Sequence, residues 1–178
     1  MSEPYNQDGG APAGPLFRRM RAGLNGIDLV SRWGVIAAMA VMATLVVVQV
    51  VFRYLFSSAI DWSEEIARLA FVWAMFLAIP HGVRSGIHVG IDVIVTRLAD
   101  GAQEAFFRIS AGLAALLMAV VFWYALQVTI LTWPEKMPTV NMTNAVYYVA
   151  VLVAAIHSVL HLALLAWGGR NSWNGMSS

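Results

Sequence analysis

The chain contains no cysteine. Disulfides, thiolate nucleophiles and cysteine-ligated metals are therefore excluded together, and the redox compartment is left open. Charge is scarce as well. Only 12% of the 178 residues are Asp, Glu, Lys or Arg, against about 25% in a soluble domain. Net charge is +1, so the strong basic field that holds nucleic acid is missing. No H-E-x-x-H, G-x-S-x-G or phosphate-binding loop occurs, which leaves no hydrolase or transferase reading. No internal repeat occurs either, and Pro80 alone interrupts an apolar segment. A self-sufficient secondary transporter, with paired broken helices around a midplane site, is disfavoured accordingly.

What is abundant is apolar side chain: 60% of the residues are hydrophobic, and mean hydropathy is +0.70. The chain reads as a one-domain, all-α membrane protein with four transmembrane helices. About 20 apolar residues cross a bilayer. The spans fall at about residues 33–55 (apolar from Trp33 to Phe52), 63–82, 106–133 and 145–167. The first is too long for a signal-peptide core and reads as a retained anchor. Residues 1–15, rich in Gly, Pro and Ala, are expected to be a disordered tail, and 171–178 a C-terminal tail. Residues 16–170 form the single membrane domain.

Before the first span, Phe17, Met20, Leu24 and Ile27 recur at helical spacing among Arg18, Arg19 and Arg21. The pattern predicts a short amphipathic interfacial helix, or simply the basic flank of the span. Asp61 or Ser63 is placed to cap the second span, with Glu64 and Glu65 at the positive end of its dipole. Arg84 to Glu104 is too polar to cross and predicts a surface segment with a short helix around Val89–Leu98. Arginine collects before span one, between spans two and three, and after span four, while the opposite side has only Arg53, Arg68 and Lys136. Both termini should face the cytoplasm.

Polar groups gather at two depths. The outer set is Gln49, Arg53, Glu64, Glu65, Arg68 and Gln127. Gln49 and Arg53 share a helix face, as do Glu64 and Arg68, at i,i+4. Snorkelling at the headgroup level accounts for Arg53 equally well. Arg68 lies within the second span, where a central arginine costs about 2.5–3.5 kcal/mol to insert, so it should meet protein, paired with Glu64 or Glu65. The inner set is His81, Arg84, His88, Asp92, His157 and His161. Arg84, His88 and Asp92 are four apart, beside Gly82, Gly86 and Gly90, a spacing that admits a neighbouring helix or merely loosens a loop. Four spans with histidines on two helices also raise a haem b electron-transfer subunit, ligated from His81, His88, His157 and His161. The plainer reading is neutral histidines bonded to their surroundings.

The motifs in order are Gln49-x-x-x-Arg53-Tyr54, Trp62-x-Glu64-Glu65-x-x-Arg68, Phe71-Val72-Trp73 and Arg84-x-Gly86-x-His88-Val89-x-x-Asp92. This series, about 45 residues on a four-span plan, resembles the small membrane subunit of tripartite ATP-independent periplasmic (TRAP) transporters, the DctQ-like family. The resemblance implies a small permease subunit in the bacterial inner membrane, without catalytic, cofactor-binding or metal-ligating residues. It implies two protein partners: a large membrane subunit that carries the transport site, and a periplasmic solute-binding protein. Import of a solute, typically an organic acid, would be driven by an ion gradient. Gln49, Arg53, Trp62, Glu64, Glu65, Arg68 and Trp73, with Arg84, Gly86, His88 and Asp92, would then anchor subunits or helices and not bind solute. The arginine asymmetry makes a direct prediction. Reporter fusions at Gly101 and Ser178 should signal cytoplasm and one at Met137 periplasm; a periplasmic Ser178 would overturn the span count.

Overall fold

The structure, a computed structural model, describes residues 15–58, 60–84 and 100–174, with side chains at 19–58, 60–83, 101–103 and 105–167. Within these residues the chain is four long helices: α1 (Pro15–Leu55), α2 (Asp61–Arg84), α3 (Asp100–Thr132) and α4 (Ala145–Asn174). Each contains a stretch long and apolar enough to cross a membrane. With no water in hydrocarbon to bond the backbone, uninterrupted helix is the available solution. The chain is a multi-pass membrane protein.

Three boundaries differ from expectation. The amphipathic stretch is not a separate helix; Pro15–Leu55 runs without a break. No proline stands between Pro15 and Pro80 to remove an N–H, and at 1.5 Å per residue α1 is about 60 Å long, twice the hydrocarbon thickness. Asp100–Glu104, read as the end of a surface segment, is the first turn of α3. Residues 171–174, assigned to the tail, continue α4. The short helix expected at Val89–Leu98 lies outside the described residues.

At the end of α1, Ser57 takes a left-handed conformation, φ 50°, and the Ser58 amide reaches back to the Phe52 carbonyl. This closes the helix as a glycine usually would. At the start of α2, Ser63 donates its hydroxyl to the Ile60 carbonyl at 2.6 Å. Between α3 and α4, residues 133–144 fold into a small tied loop. Met137 N donates to Met142 O and Asn144 N to Glu135 O, both at 2.9 Å. Thr143 Oγ1 donates to Trp133 O at 2.8 Å and accepts from Ala145 N, capping α4.

The helices stand in an open row, α1–α2–α4–α3. α1 packs on α2, α2 on α4 and α4 on α3, while α1 touches α4 only lightly. The outer members α1 and α3 present broad apolar surfaces, among them Trp33, Val47, Leu113, Leu117 and Trp123. α4, inside the row, carries most of the core: Ala150, Ala154 and Ser158, four residues apart, are almost completely buried, with Leu162 and Leu165 beyond them. Small side chains at this spacing let helix backbones approach closely. α2 answers with Ser63, Ala67 and Ala74.

α1 meets α2 closely at one level. A β-carbon on Gly34 would stand 3.1 Å from Leu77 Cδ1, and Ser31 Oγ donates to the Leu77 carbonyl at 3.0 Å. Pro80, fully buried within α2, has no N–H to donate to the Phe76 carbonyl. The Ser31 hydroxyl bonds the adjoining carbonyl, that of Leu77. The row makes a packing prediction. Ala150→Leu, at a position with 0% exposure, should destabilise by about 1–3 kcal/mol through overpacking. Leu116→Ala, on the exposed face of α3, should leave the unfolding temperature in detergent nearly unchanged.

Candidate functional site

Polar side chains concentrate at the two ends of the row. At the end holding the short loops, Arg68 Nη2 donates to Glu64 Oε1 at 2.9 Å, one turn apart on α2. Their side chains are 61% and 65% exposed, so the pair faces away from this chain's own helices. An exposed pair contributes only about 0–1 kcal/mol in water. Glu65 does different work. Its Oε2 accepts from Thr139 Oγ1 at 2.6 Å and from the amides of Thr139 and Val140 at 3.1 Å each. One carboxylate oxygen thus holds the loop between α3 and α4 onto the start of α2. The sequence offered Glu64 or Glu65 as the partner of Arg68; the structure gives that place to Glu64 and turns Glu65 to the loop.

The remaining outer residues do not converge. Gln49 is half-buried and Arg53 exposed on α1, Gln127 is exposed on α3, and these helices form opposite edges of the row. Arg53 makes no ion pair among the described residues. Trp62 is exposed, whereas Trp73 is half-buried and its Nε1 lacks a hydrogen-bond partner among the described residues. A mostly apolar cleft of about 380 Å³ near this end is lined by Val72, Phe76, Tyr147, Tyr148 and Val151 together with Thr132, Glu135 and Asn144.

At the end holding the chain termini, α1 and α4 meet through a buried triad. Nε2 of His157 and Nε2 of His161 each lie 2.8 Å from Oδ1 of Asp28, and 3.2 Å from one another. All three residues are buried. His81, on α2, stands edge-on to His157 with ring centroids 6.3 Å apart. The histidines one turn apart on α4 were visible in the sequence, but Asp28 was not singled out. The signal existed: Leu24, Asp28 and Ser31 fall at i, i+4 and i+7 on one face of α1, and that face is the buried one.

The two α4 histidines cannot together be the axial ligands of a haem. Both turn the same nitrogen to one carboxylate oxygen from adjacent turns of one helix, whereas axial ligands approach an iron from opposite faces of a macrocycle, on facing helices. The pairing weighed from sequence joined either of them to His81, which lies on α2. Arg84 closes α2, with its side chain outside the described set; Gly86, His88 and Asp92 lie outside the described residues.

With the geometry in hand, comparison with known proteins is specific. The family described as "Tripartite ATP-independent periplasmic transporters, DctQ component" matches residues 26–170. A Haemophilus influenzae protein assigned as a TRAP transporter small permease is 27% identical over 121 residues, 68% of this chain and 73% of that protein. The isethionate TRAP transporter permease protein DctMQ of Oleidesulfovibrio alaskensis is 27% identical over 129 residues, covering 68% of this chain and 20% of its own length. The C4-dicarboxylate TRAP transporter small permease protein DctQ of Rhodobacter capsulatus is 37% identical over 60 residues, 34% of this chain and 26% of that protein.

The Glu65 anchor is testable without a partner. Glu65→Ala removes the acceptor of three hydrogen bonds. Charge-assisted bonds contribute about 1.5–3 kcal/mol when well shielded and less at a wet rim. Amide exchange at Thr139 and Val140 should accelerate by roughly tenfold or more, about 1.4 kcal/mol of lost protection, with the α4 core unaffected. Unchanged exchange at both amides would remove the anchoring role.

Proposed function

The chain belongs to the DctQ component family of tripartite ATP-independent periplasmic transporters, and from that premise we propose that it is the fixed membrane scaffold of a three-part importer. The family is one of transporter permease subunits rather than enzymes. On this reading a large membrane subunit carries the solute site and moves against the row. A periplasmic solute-binding protein delivers the solute, and an ion gradient drives uptake. The assembly sits in the bacterial inner membrane with both termini of this chain in the cytoplasm.

The observation that carries the reading is the open row itself. Two edge helices expose long apolar faces. Such a body offers surface to a neighbour rather than a path to a solute. The exposed Glu64–Arg68 pair supports a partner at the loop end, since a charged pair inside a span is costly to leave against lipid. The name DctMQ, borne by a relative of which the matched region is 20%, supports a large companion subunit. Isethionate and C4-dicarboxylates, named for two relatives, are small organic anions. A solute of that class is the reading for this chain's system.

Reconstitution tests the proposal. Proteoliposomes with this chain alone should show no uptake. Adding the large subunit, the binding protein and an ion gradient should restore it, and the solute should bind the soluble protein whether or not this chain is present. Full uptake by the other two components without this chain would sink the scaffold role. Uptake by this chain alone would make it a transporter in its own right.

A further inference from the structure

The triad of Asp28, His157 and His161 is not accounted for by the scaffold reading, and its atoms stand in an unusual relation. Three ligand atoms, one from each residue, lie within 4.8 Å of one another in a buried setting. The contacts are two of 2.8 Å to a single carboxylate oxygen and one of 3.2 Å between imidazole nitrogens. An ionised carboxylate and two neutral imidazoles do not satisfy all three. If both Nε2 atoms carry hydrogen, two N–H donors are forced side by side. If one lacks it, a nitrogen lone pair faces an oxygen lone pair. A positive centre among the three atoms removes the conflict.

We propose that Asp28, His157 and His161 bind a divalent first-row transition-metal ion, with zinc as the first candidate, and that the ion clips α1 to α4. Imidazole and carboxylate are ordinary zinc ligands, and a set without cysteine suits zinc, nickel or cobalt over copper(I). The distances fit. Ligand atoms about 2.0–2.1 Å from an ion are separated by roughly 2.9 Å at right angles and 3.3 Å at the tetrahedral angle, close to the spacings found here. Histidines four apart on one helix turn both nitrogens to the same side, as two-histidine chelates on helices require. Asp28 completes the set from another helix. The fourth position falls to water.

The clip acts where the row has little else. α1 and α4 otherwise make only light contact, since α2 stands between them, so three bonds to one ion would join helices that packing barely joins. One support is missing. Nδ1 of His161 is buried with no hydrogen-bond partner among the described residues. Metal-bound histidines normally donate that N–H, and losing such a partner weakens binding by about 10–100-fold. The site should therefore hold its ion less tightly, and release it more readily, than a closed structural zinc site.

The test uses the full chain, purified with a tag free of histidine, stripped with chelator and titrated with zinc or cobalt. Zinc should bind at one ion per chain and raise the unfolding temperature. Cobalt should give visible d–d absorption bands of a low-coordinate site, displaced by zinc. Asp28→Asn and His161→Gln should each weaken zinc binding by about tenfold or more and abolish the thermal shift. Should either variant fail to fold, the wild-type cobalt spectrum and zinc stoichiometry still decide. Absence of both in the wild type, or equal zinc responses in wild type and folded variants, would overturn the proposal and leave a hydrogen-bonded triad sharing a proton.

Discussion

Lipid gives apolar helices no hydrophobic reason to leave it for one another, so close backbone approach and a few well-placed polar contacts must hold such a protein together. The row follows that constraint. Its centre is the small-residue stripe Ala150, Ala154 and Ser158 on α4, set against helices on either side. Its edges are fastened by single polar contacts. Ser31 reaches the Leu77 carbonyl near Pro80 on α2. Asp28 reaches the two histidines of α4, and Glu65 gathers the far loop. The Glu65 contact lies at an end of its span, where a polar group is least costly to keep, whereas His157 sits near the middle of Ala145–Trp167.

The spans themselves were legible because length and hydropathy determine them almost alone. The arrangement was not. A helix apolar on all sides gives no face to the periodicity that orients helices in water, so an open row and a closed bundle write the same sequence. The amphipathic stretch before span one is only partly legible in the same way. Of its apolar positions Leu24 is buried while Ile27 is 45% exposed, and the buried face continues through Asp28 and Ser31. In lipid an apolar side chain can face outward and a polar one inward, so apolar spacing alone finds part of the buried face and misses its polar members.

The charged residues divide along a similar line. Glu64 with Arg68 was readable from spacing, because i,i+4 contact needs nothing beyond the helix itself. Glu65 was not, since its partners lie more than 70 residues away in a loop whose path depends on α3 and α4. The adjacent glutamates therefore differ in kind. One forms a pair turned outward and the other fastens a loop of its own chain. A motif match treats the two alike; only the fold separates them.

The row also has a consequence for motion. With neighbouring axes about 8–10 Å apart, four helices abreast extend up to roughly 24–30 Å between outer axes, longer in the membrane plane than the same helices in a square. Viscous resistance to turning about the membrane normal grows steeply with lateral extent. A body of this shape therefore rotates in the bilayer more sluggishly than a compact bundle of equal mass. Drag from the surrounding lipid thus slows its turning without fixing its orientation.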